Sequence, residues 1–276
     1  MKYIDIHGHI NFAAYDADRE DVIKRAKDAD VAMVAVGTQL DTSKKALGLA
    51  HKHDNVYAIV GLHPVHTCKS HHDDQEFGVD SGFTEHGEAI DRDAYMKLAK
   101  DPKVIALGEC GLDYFHLDEG SREKQIKAFE IMIDIANEVK KPLMLHIRNG
   151  KDRNAYREAY EILKSRSKVL CDLHFFAGNI EDAKLFLDLG YYFSFTGVIT
   201  FARNYDEVIQ YLPLNRIMSE TDCPYVSPVP FRGKRNEPVN VIEVVKTLAR
   251  IRGESEDVVT KQVMDNAKKF FDFGQV

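Results

Sequence analysis

Short apolar and β-branched runs alternate with longer stretches of helical periodicity from one end of the chain to the other. The runs Tyr3–His7, Val31–Val36, Val56–Leu62, Val104–Gly108, Leu143–Ile147, Val169–His174, Tyr192–Thr196 and Ile217–Glu220 predict eight strands. Their continuous apolar character suits parallel strands buried on both faces. Between them, Ile126, Phe129, Ile133 and Ala136 recur at spacings of 3, 4 and 3, as do Val241, Val244, Leu248 and Ile251. Each set builds one apolar helical stripe. Strand-then-helix units repeated in this way predict an α/β chain folded as a (β/α)8 TIM barrel, with a doubly wound open sheet as the rival. Gly253 reads as a helix stop and Ser255 as the N-cap of an extra C-terminal helix running to about Phe271. No Pro/Ser-rich linker divides the chain, so 1–276 is expected to be a single domain. Residues 66–93 break the rhythm as an inserted loop rich in carboxylates and carrying His66, His71, His72 and His86. An active-site lid or a third metal site is one reading of it. The absence of regular spacing favours a solvated surface loop.

Composition narrows the class. With 276 residues, 44% of them apolar, the chain can bury a core without disulfide or metal staples and is not disordered. Its longest wholly apolar run, Val31–Val36, is far short of the roughly 20 residues of a membrane span. Met1-Lys2-Tyr3 leads directly into the first strand with no secretory apolar segment, so a cytoplasmic protein without a membrane partner is expected. Cys68, Cys110, Cys171 and Cys223 are far apart, which suits reduced thiols. A net charge of −7 excludes a cationic coat for nucleic acid and leaves room only for a local basic patch.

The candidate chemistry sits at strand ends. His7 and His9 end the first strand, Glu109 follows the fourth, His146 lies in the fifth, His174 ends the sixth and Asp222 follows the eighth. In a barrel all six reach the carboxyl-end rim, where enzymes of this architecture carry out their reactions. Strand alternation gives His7 and His9 a common face. Singly, each of these residues has an ordinary explanation as a cap, an ion pair or a core histidine. Jointly they need a compensating charge, because a buried unpaired acid costs several kcal/mol. The set can hold two divalent metal ions with Glu109 between them. His63, in G-L-H-P, ends the third strand and is expected to face the same cavity, bonding a phosphate or orienting the substrate. Arg203 and the run Arg232, Gly233, Lys234, Arg235 lie in loops after the seventh and eighth strands, where they are expected to neutralise backbone phosphates. Tyr114, Phe115 and Phe201 are candidates for stacking on unpaired bases.

The segments I-D-I-H-G-H, G-L-H-P, G-E-C-G-L-D-Y-F, L-H-I-R, H-F-F-A-G and S-E-T-D-C-P-Y-V-S-P-V-P-F-R-G-K-R-N-E-P resemble the TatD family of metal-dependent deoxyribonucleases, part of the wider amidohydrolase-like barrel group. The resemblance runs from Asp5 to about Pro238. It implies that His7, His9, Glu109 and Asp222 bind one ion and Glu109, His146 and His174 the second, with activity supported by Mg2+. Two departures are visible. Gly8 stands where members usually carry Cys, and H-F-F-A-G replaces H-C-F-S-G. Neither removes a ligand. The 66–93 loop is also longer than the family leads one to expect.

The expected activity is hydrolysis of DNA phosphodiester bonds by a hydroxide bridging the two ions, with Asp222 orienting the water and accepting its proton. A recessed barrel mouth favours strand ends, hence an exonuclease on single strands, and the resemblance implies 3′-to-5′ polarity. Backbone contacts carry no sequence information, so little sequence preference is expected. Four imidazoles suit Zn2+, Mn2+ or Fe better than Mg2+. The alternative is an amidohydrolase-type enzyme using the same hydroxide on a small amide or ester. A metal-loaded, non-enzymatic scaffold is disfavoured by the complete donor set. No obligatory protein partner is visible.

Overall fold

The computed structural model describes residues 1–68, 70–71, 73–78, 83–84, 87–115 and 120–272. His72 and His86 of the expected loop therefore lie outside the described residues. Eight parallel strands follow one another around one sheet in chain order: β1 (Tyr3–Gly8), β2 (Val31–Val36), β3 (Val56–Val60), β4 (Val104–Asp113), β5 (Leu143–Arg148), β6 (Cys171–Leu173), β7 (Tyr192–Phe195) and β8 (Ile217–Ser219). Beyond β8 the chain returns to β1. Gly8 bridges Cys223, the His9 N–H donates to the Cys223 carbonyl at 2.7 Å, and the Asp222 N–H donates to the His7 carbonyl at 2.8 Å. The result is the (β/α)8 barrel that the alternating pattern predicts. Among the described residues, no helix is long and apolar enough to cross a membrane, and the four cysteines are free and buried.

Of the strand boundaries that differ from expectation, three bear on the candidate site. β4 runs on through G-E-C-G-L-D, so Glu109 lies within the strand rather than after it. The glycines make this possible. A Cβ at Gly108 would lie 2.5 Å from the Met144 carbonyl oxygen, and one at Gly111 only 2.1 Å from that of His146. β3 stops at Val60, which leaves His63 as the N-cap of a 3-10 turn, Pro64–Thr67. β6 ends before His174.

Two apolar cores result. One fills the space between the sheet and the outer helices, and includes the buried Val241, Val244, Leu248 and Ile251 of the helix Val241–Arg252. The other occupies the barrel interior, with Ile4, Ile6, Val34, Val36, Ile59, Met144, Tyr192 and Met218. The C-terminal helix, Glu256–Phe271, is capped by the Ser255 hydroxyl as predicted. Its Met264, Ala267, Phe270 and Phe271 join the interior core, the Phe270 ring centroid 5.4 Å from that of Tyr192. This helix closes the amino-terminal end of the barrel, and the carboxyl end is left for chemistry.

The described residues of segment 66–93 carry more order than their lack of period suggests. They form a two-residue antiparallel pair (Ser70–His71 with Phe83–Thr84) and a one-turn helix, Asp74–Phe77. His66 Nε2 lies 3.0 Å from Glu76 Oε2, both residues are buried, and the Thr38 hydroxyl donates to the same carboxylate. The Tyr225 hydroxyl donates to Asp73 Oδ2 at 2.6 Å, which ties this segment to the loop after β8. Its order is tertiary in origin, so local periodicity carries no sign of it.

Candidate active site

Two register slips aim the central side chains. β1 pairs Asp5 with Met33 but Gly8 with Ala35, one residue short of regular pairing. In β4, Leu107 pairs with Leu143 and Cys110 with Leu145, so three steps oppose two. A one-residue slip exchanges the two faces of a strand, and such bulges re-aim side chains beside active sites. Thus His7 joins the side already taken by Ile4 and Ile6, and Glu109 turns inward. His9 meets His7 from the turn beyond β1, not by alternation along the strand. On β5 plain alternation suffices, placing Met144, His146 and Arg148 on one face.

Glu109 is the centre of the cluster. Its Oε2 lies 3.4 Å from His7 Nε2 and 3.8 Å from His9 Nε2, and Asp222 Oδ1 lies 3.9 and 3.3 Å from the same two nitrogens. Its Oε1 lies 2.9 Å from His146 Nδ1, 3.0 Å from His174 Nε2 and 3.3 Å from His63 Nε2. One carboxylate therefore faces two separate groups of donors. All six expected ligands converge, and His63 stands among them instead of apart.

The donor chemistry fits a cation. His7 Nε2 and His9 Nε2 face each other at 3.3 Å, while His9 Nδ1 lies 3.0 Å from the Val36 carbonyl oxygen. With Nδ1–H donating to that carbonyl, His9 Nε2 faces the cluster, as a donor to Asp222 when the ring is protonated and as a lone pair when it is neutral. His7 Nδ1 is buried without a hydrogen-bond partner among the described residues, and the His7 ring stacks on that of His174 at 3.8 Å. Three donor groups lie within metal-holding distance: His7, His174 and Asp222; His7, His9 and Glu109; His63, Glu109 and His146.

A second set of polar residues, which the sequence reading missed, orients the first. Asp113 Oδ2 lies 3.1 Å from His146 Nε2, and Glu220 Oε1 lies 3.2 Å from His174 Nδ1. Such outer carboxylates fix the tautomer and ring angle of a ligating histidine. Asp5 accepts from the Thr221 N–H at 2.8 Å and the Thr221 hydroxyl at 2.6 Å, which braces the chain before Asp222. The Ser194 hydroxyl lies between two carboxyls, 2.7 Å from Asp172 Oδ2 and 2.8 Å from Glu220 Oε2. A hydroxyl has one proton, so one of these carboxyls must carry another. Burial, with the Glu220 charge beside it, pushes Asp172 well above the usual carboxylate range and identifies it as the protonated partner.

Electrostatics separates the roles. Burial opposes the charge of Glu109, yet His63, His174 and His7 together hold it well below the usual range. Burial likewise works against Asp222, but the hydrogen bond from His9 and the charges of His174 and His7 lower it. Burial pushes His63 down to about 4 against the pull of Glu109, and so keeps it neutral near pH 7. His146 is also desolvated, but its bonds to Asp113 and Glu109 raise it to about 9.

The cluster forms the floor of a cavity of about 470 Å3, walled by Phe12, Phe175, Tyr205 and Tyr225 and by His66, Asp73 and Glu76 of the 66–93 segment. The expected phosphate-binding residues do not line it. Arg235 binds Asp18 at 2.8 and 2.6 Å, donates to the Ala14 carbonyl, and lies over the Tyr15 ring at 4.4 Å. The Arg232 guanidinium lies 3.8 Å from the centroid of Phe201. Arg203 donates to the Ile199 carbonyl at 2.7 Å and opens with Phe201 and Arg250 onto a separate depression. Lys234 is exposed on the loop after β8. Of the aromatic candidates, Tyr114 is buried and bonded to Glu158, whereas Phe115 is exposed beside the cavity residue Arg148. A basic run shows its charge in the sequence but not the direction it faces.

Against known proteins, a family model described as "TatD related DNase" matches residues 4–272. The chain is 34% identical to "Uncharacterized metal-dependent hydrolase YabD" of Bacillus subtilis over 273 residues, 97% of this chain and 98% of that protein. It is 31% identical to "3'-5' ssDNA/RNA exonuclease TatD" of Pantoea ananatis over 276 residues, 97% and 98% of the two chains. Among solved structures it resembles the TatD homologue YJJV of Escherichia coli, with a TM-score of 0.79, 26% identity and 98% of each chain covered.

Proposed function

We propose that this chain, which belongs to the TatD-related DNase family, is a metal-dependent hydrolase that cleaves phosphodiester bonds at single-stranded DNA ends in the 3′-to-5′ direction. The observation that carries this reading is the split Glu109 carboxylate, with His7, His9 and Asp222 around one oxygen side and His63, His146 and His174 around the other. His7, His9, Glu109 and Asp222 would hold one divalent ion. Glu109, His146 and His174 would hold the second, with His63 against the same Glu109 oxygen. Bound there, such ions supply Lewis acidity to a phosphoryl oxygen and lower the pKa of water. Mg2+ or Mn2+ would support activity, and the four imidazoles also suit Zn2+. The relatives named as metal-dependent hydrolases and as an exonuclease support the same reading.

The chain's own residues then have distinct tasks. Asp222 aligns the attacking water and takes its proton on a carboxylate oxygen, its pKa held low by the neighbouring histidines. His63, neutral near pH 7, orients the phosphoryl group from the side of Glu109. The cavity is recessed in the barrel mouth, which favours an end over the middle of a strand. A small amide or ester substrate is the second reading. It is favoured by the scarcity of cations in the cavity, where Arg148 is the one Lys or Arg among the described lining residues.

Purified protein supplied with Mg2+ or Mn2+ should shorten a 5′-labelled single strand progressively. Asp222→Asn should abolish the ladder while circular dichroism stays native. A ladder of full strength in that variant would point to a contaminating nuclease and sink the assignment.

A further inference from the structure

We propose that Arg148 is the residue that selects an anionic phosphoric ester for this cavity, by pairing with a phosphate oxygen of the substrate. The inference rests on the phosphodiesterase reading and deepens it. Arg148 ends β5 on the same face as His146, two residues and about 7 Å further toward the mouth. It lines the cavity. Its guanidinium lies over the Phe115 ring, 4.1 Å from the centroid, and makes no hydrogen bond or ion pair to a described residue. Four other guanidiniums of the chain are held in ion pairs: Arg25 with Glu237, Arg122 with Glu158, Arg166 with Asp134, Arg235 with Asp18.

A guanidinium stacked by its face keeps the N–H fork along its edge available, and that fork matches two oxygens of a phosphate. The platform is itself fixed, because the Phe115 N–H donates to Asp113 Oδ1 at 2.9 Å while Asp113 Oδ2 lies 3.1 Å from His146 Nε2. One aspartate thus ties the anion-binding arm to the reactive cluster. The 66–93 segment contributes Asp73 and Glu76 to the cavity wall, so an anionic substrate meets acid groups as well as this one guanidinium. That arrangement admits a substrate offering a single charged phosphate and penalises a long polyanion laid across the mouth.

The test compares wild type, Arg148→Ala, Arg148→Lys and the exposed control Lys164→Ala, all loaded with Mn2+. Two substrates are used: a 5′-labelled oligothymidine and bis(p-nitrophenyl) phosphate. Arg148→Ala should raise KM about tenfold or more, the worth of one charge-assisted pair, with a much smaller change in kcat. Arg148→Lys should recover part of the loss, since it keeps the charge but not the fork. Metal content by elemental analysis should be equal in all four proteins. Unchanged KM for Arg148→Ala on substrates that wild type cleaves would overturn the inference. So would equal losses of kcat and metal, which would make Arg148 structural. Should wild type cleave bis(p-nitrophenyl) phosphate in an Arg148-dependent way but leave the oligonucleotide intact, the strand-end reading falls and this one stands. Should it cleave neither, both fall.

Discussion

Glu109 shows how much a single side chain can organise when the backbone aims it correctly. Its two oxygens address two donor groups, and a shorter or singly ligating side chain would join only one. The six clustered donors were legible because His, Asp and Glu at the ends of apolar strands are costly unless something compensates them. Their supports were not. Asp113, Asp172, Ser194 and Glu220 look like unremarked polar residues until the sheet curls and sets β6, β7 and β8 side by side. The Ser194 hydroxyl then becomes the only described link between two buried carboxyls. Ser194→Ala leaves Asp172 and Glu220 each short of a partner in a buried setting, which should cost about 1–3 kcal/mol of stability. Urea denaturation with an unchanged m value would report it. A midpoint equal to wild type would mean that the hydroxyl is dispensable and that the carboxyls satisfy one another.

At the scale of elements, periodicity located the strands and the apolar faces of the long helices well. It failed where tertiary contact decides. The slips in β1 and β4 are invisible to an alternation argument, although they turn His7 and Glu109 inward. The described residues of 66–93 are held by contacts of His66 with Glu76, Thr38 with Glu76 and Tyr225 with Asp73, which leave no period in the sequence. The loop after β8 is a related case. Its R-G-K-R run reads as a phosphate clamp, yet Arg235 belongs to a charge network with Asp18, Glu237 and Arg25 that fastens this loop to the helix Arg19–Asp28. Arg235→Ala should therefore cost about 1 kcal/mol of stability, as expected for a partly exposed network. KM for an oligonucleotide should stay where it is. A raised KM at unchanged stability would restore the phosphate-binding role.

At the scale of the whole molecule, a barrel has two open ends and this chain uses them differently. The carboxyl end is polar and costly, with imidazoles and carboxylates gathered where apolar packing would otherwise stabilise the ring. The amino end carries the compensation. Met264, Ala267, Phe270 and Phe271 of the last helix enter the interior core beside Tyr192 and Met218, so the barrel floor is formed by the final helix of the fold. The Ser255 cap and the apolar spacing made that helix legible in the sequence, but nothing in them says that it seals the barrel. Phe270 is only 3% exposed, so Phe270→Ala should cost about 3–5 kcal/mol, the usual range for emptying a buried aromatic site. That is a large share of the roughly 5–15 kcal/mol by which a domain is held folded. Metal content in the fraction that stays folded should not change, because the donor cluster lies toward the opposite rim. Urea denaturation followed by far-ultraviolet circular dichroism reads the first quantity and elemental analysis the second. A loss below about 1 kcal/mol would mean that the ring lies on the barrel's surface instead of inside it, since surface substitutions seldom exceed half that value.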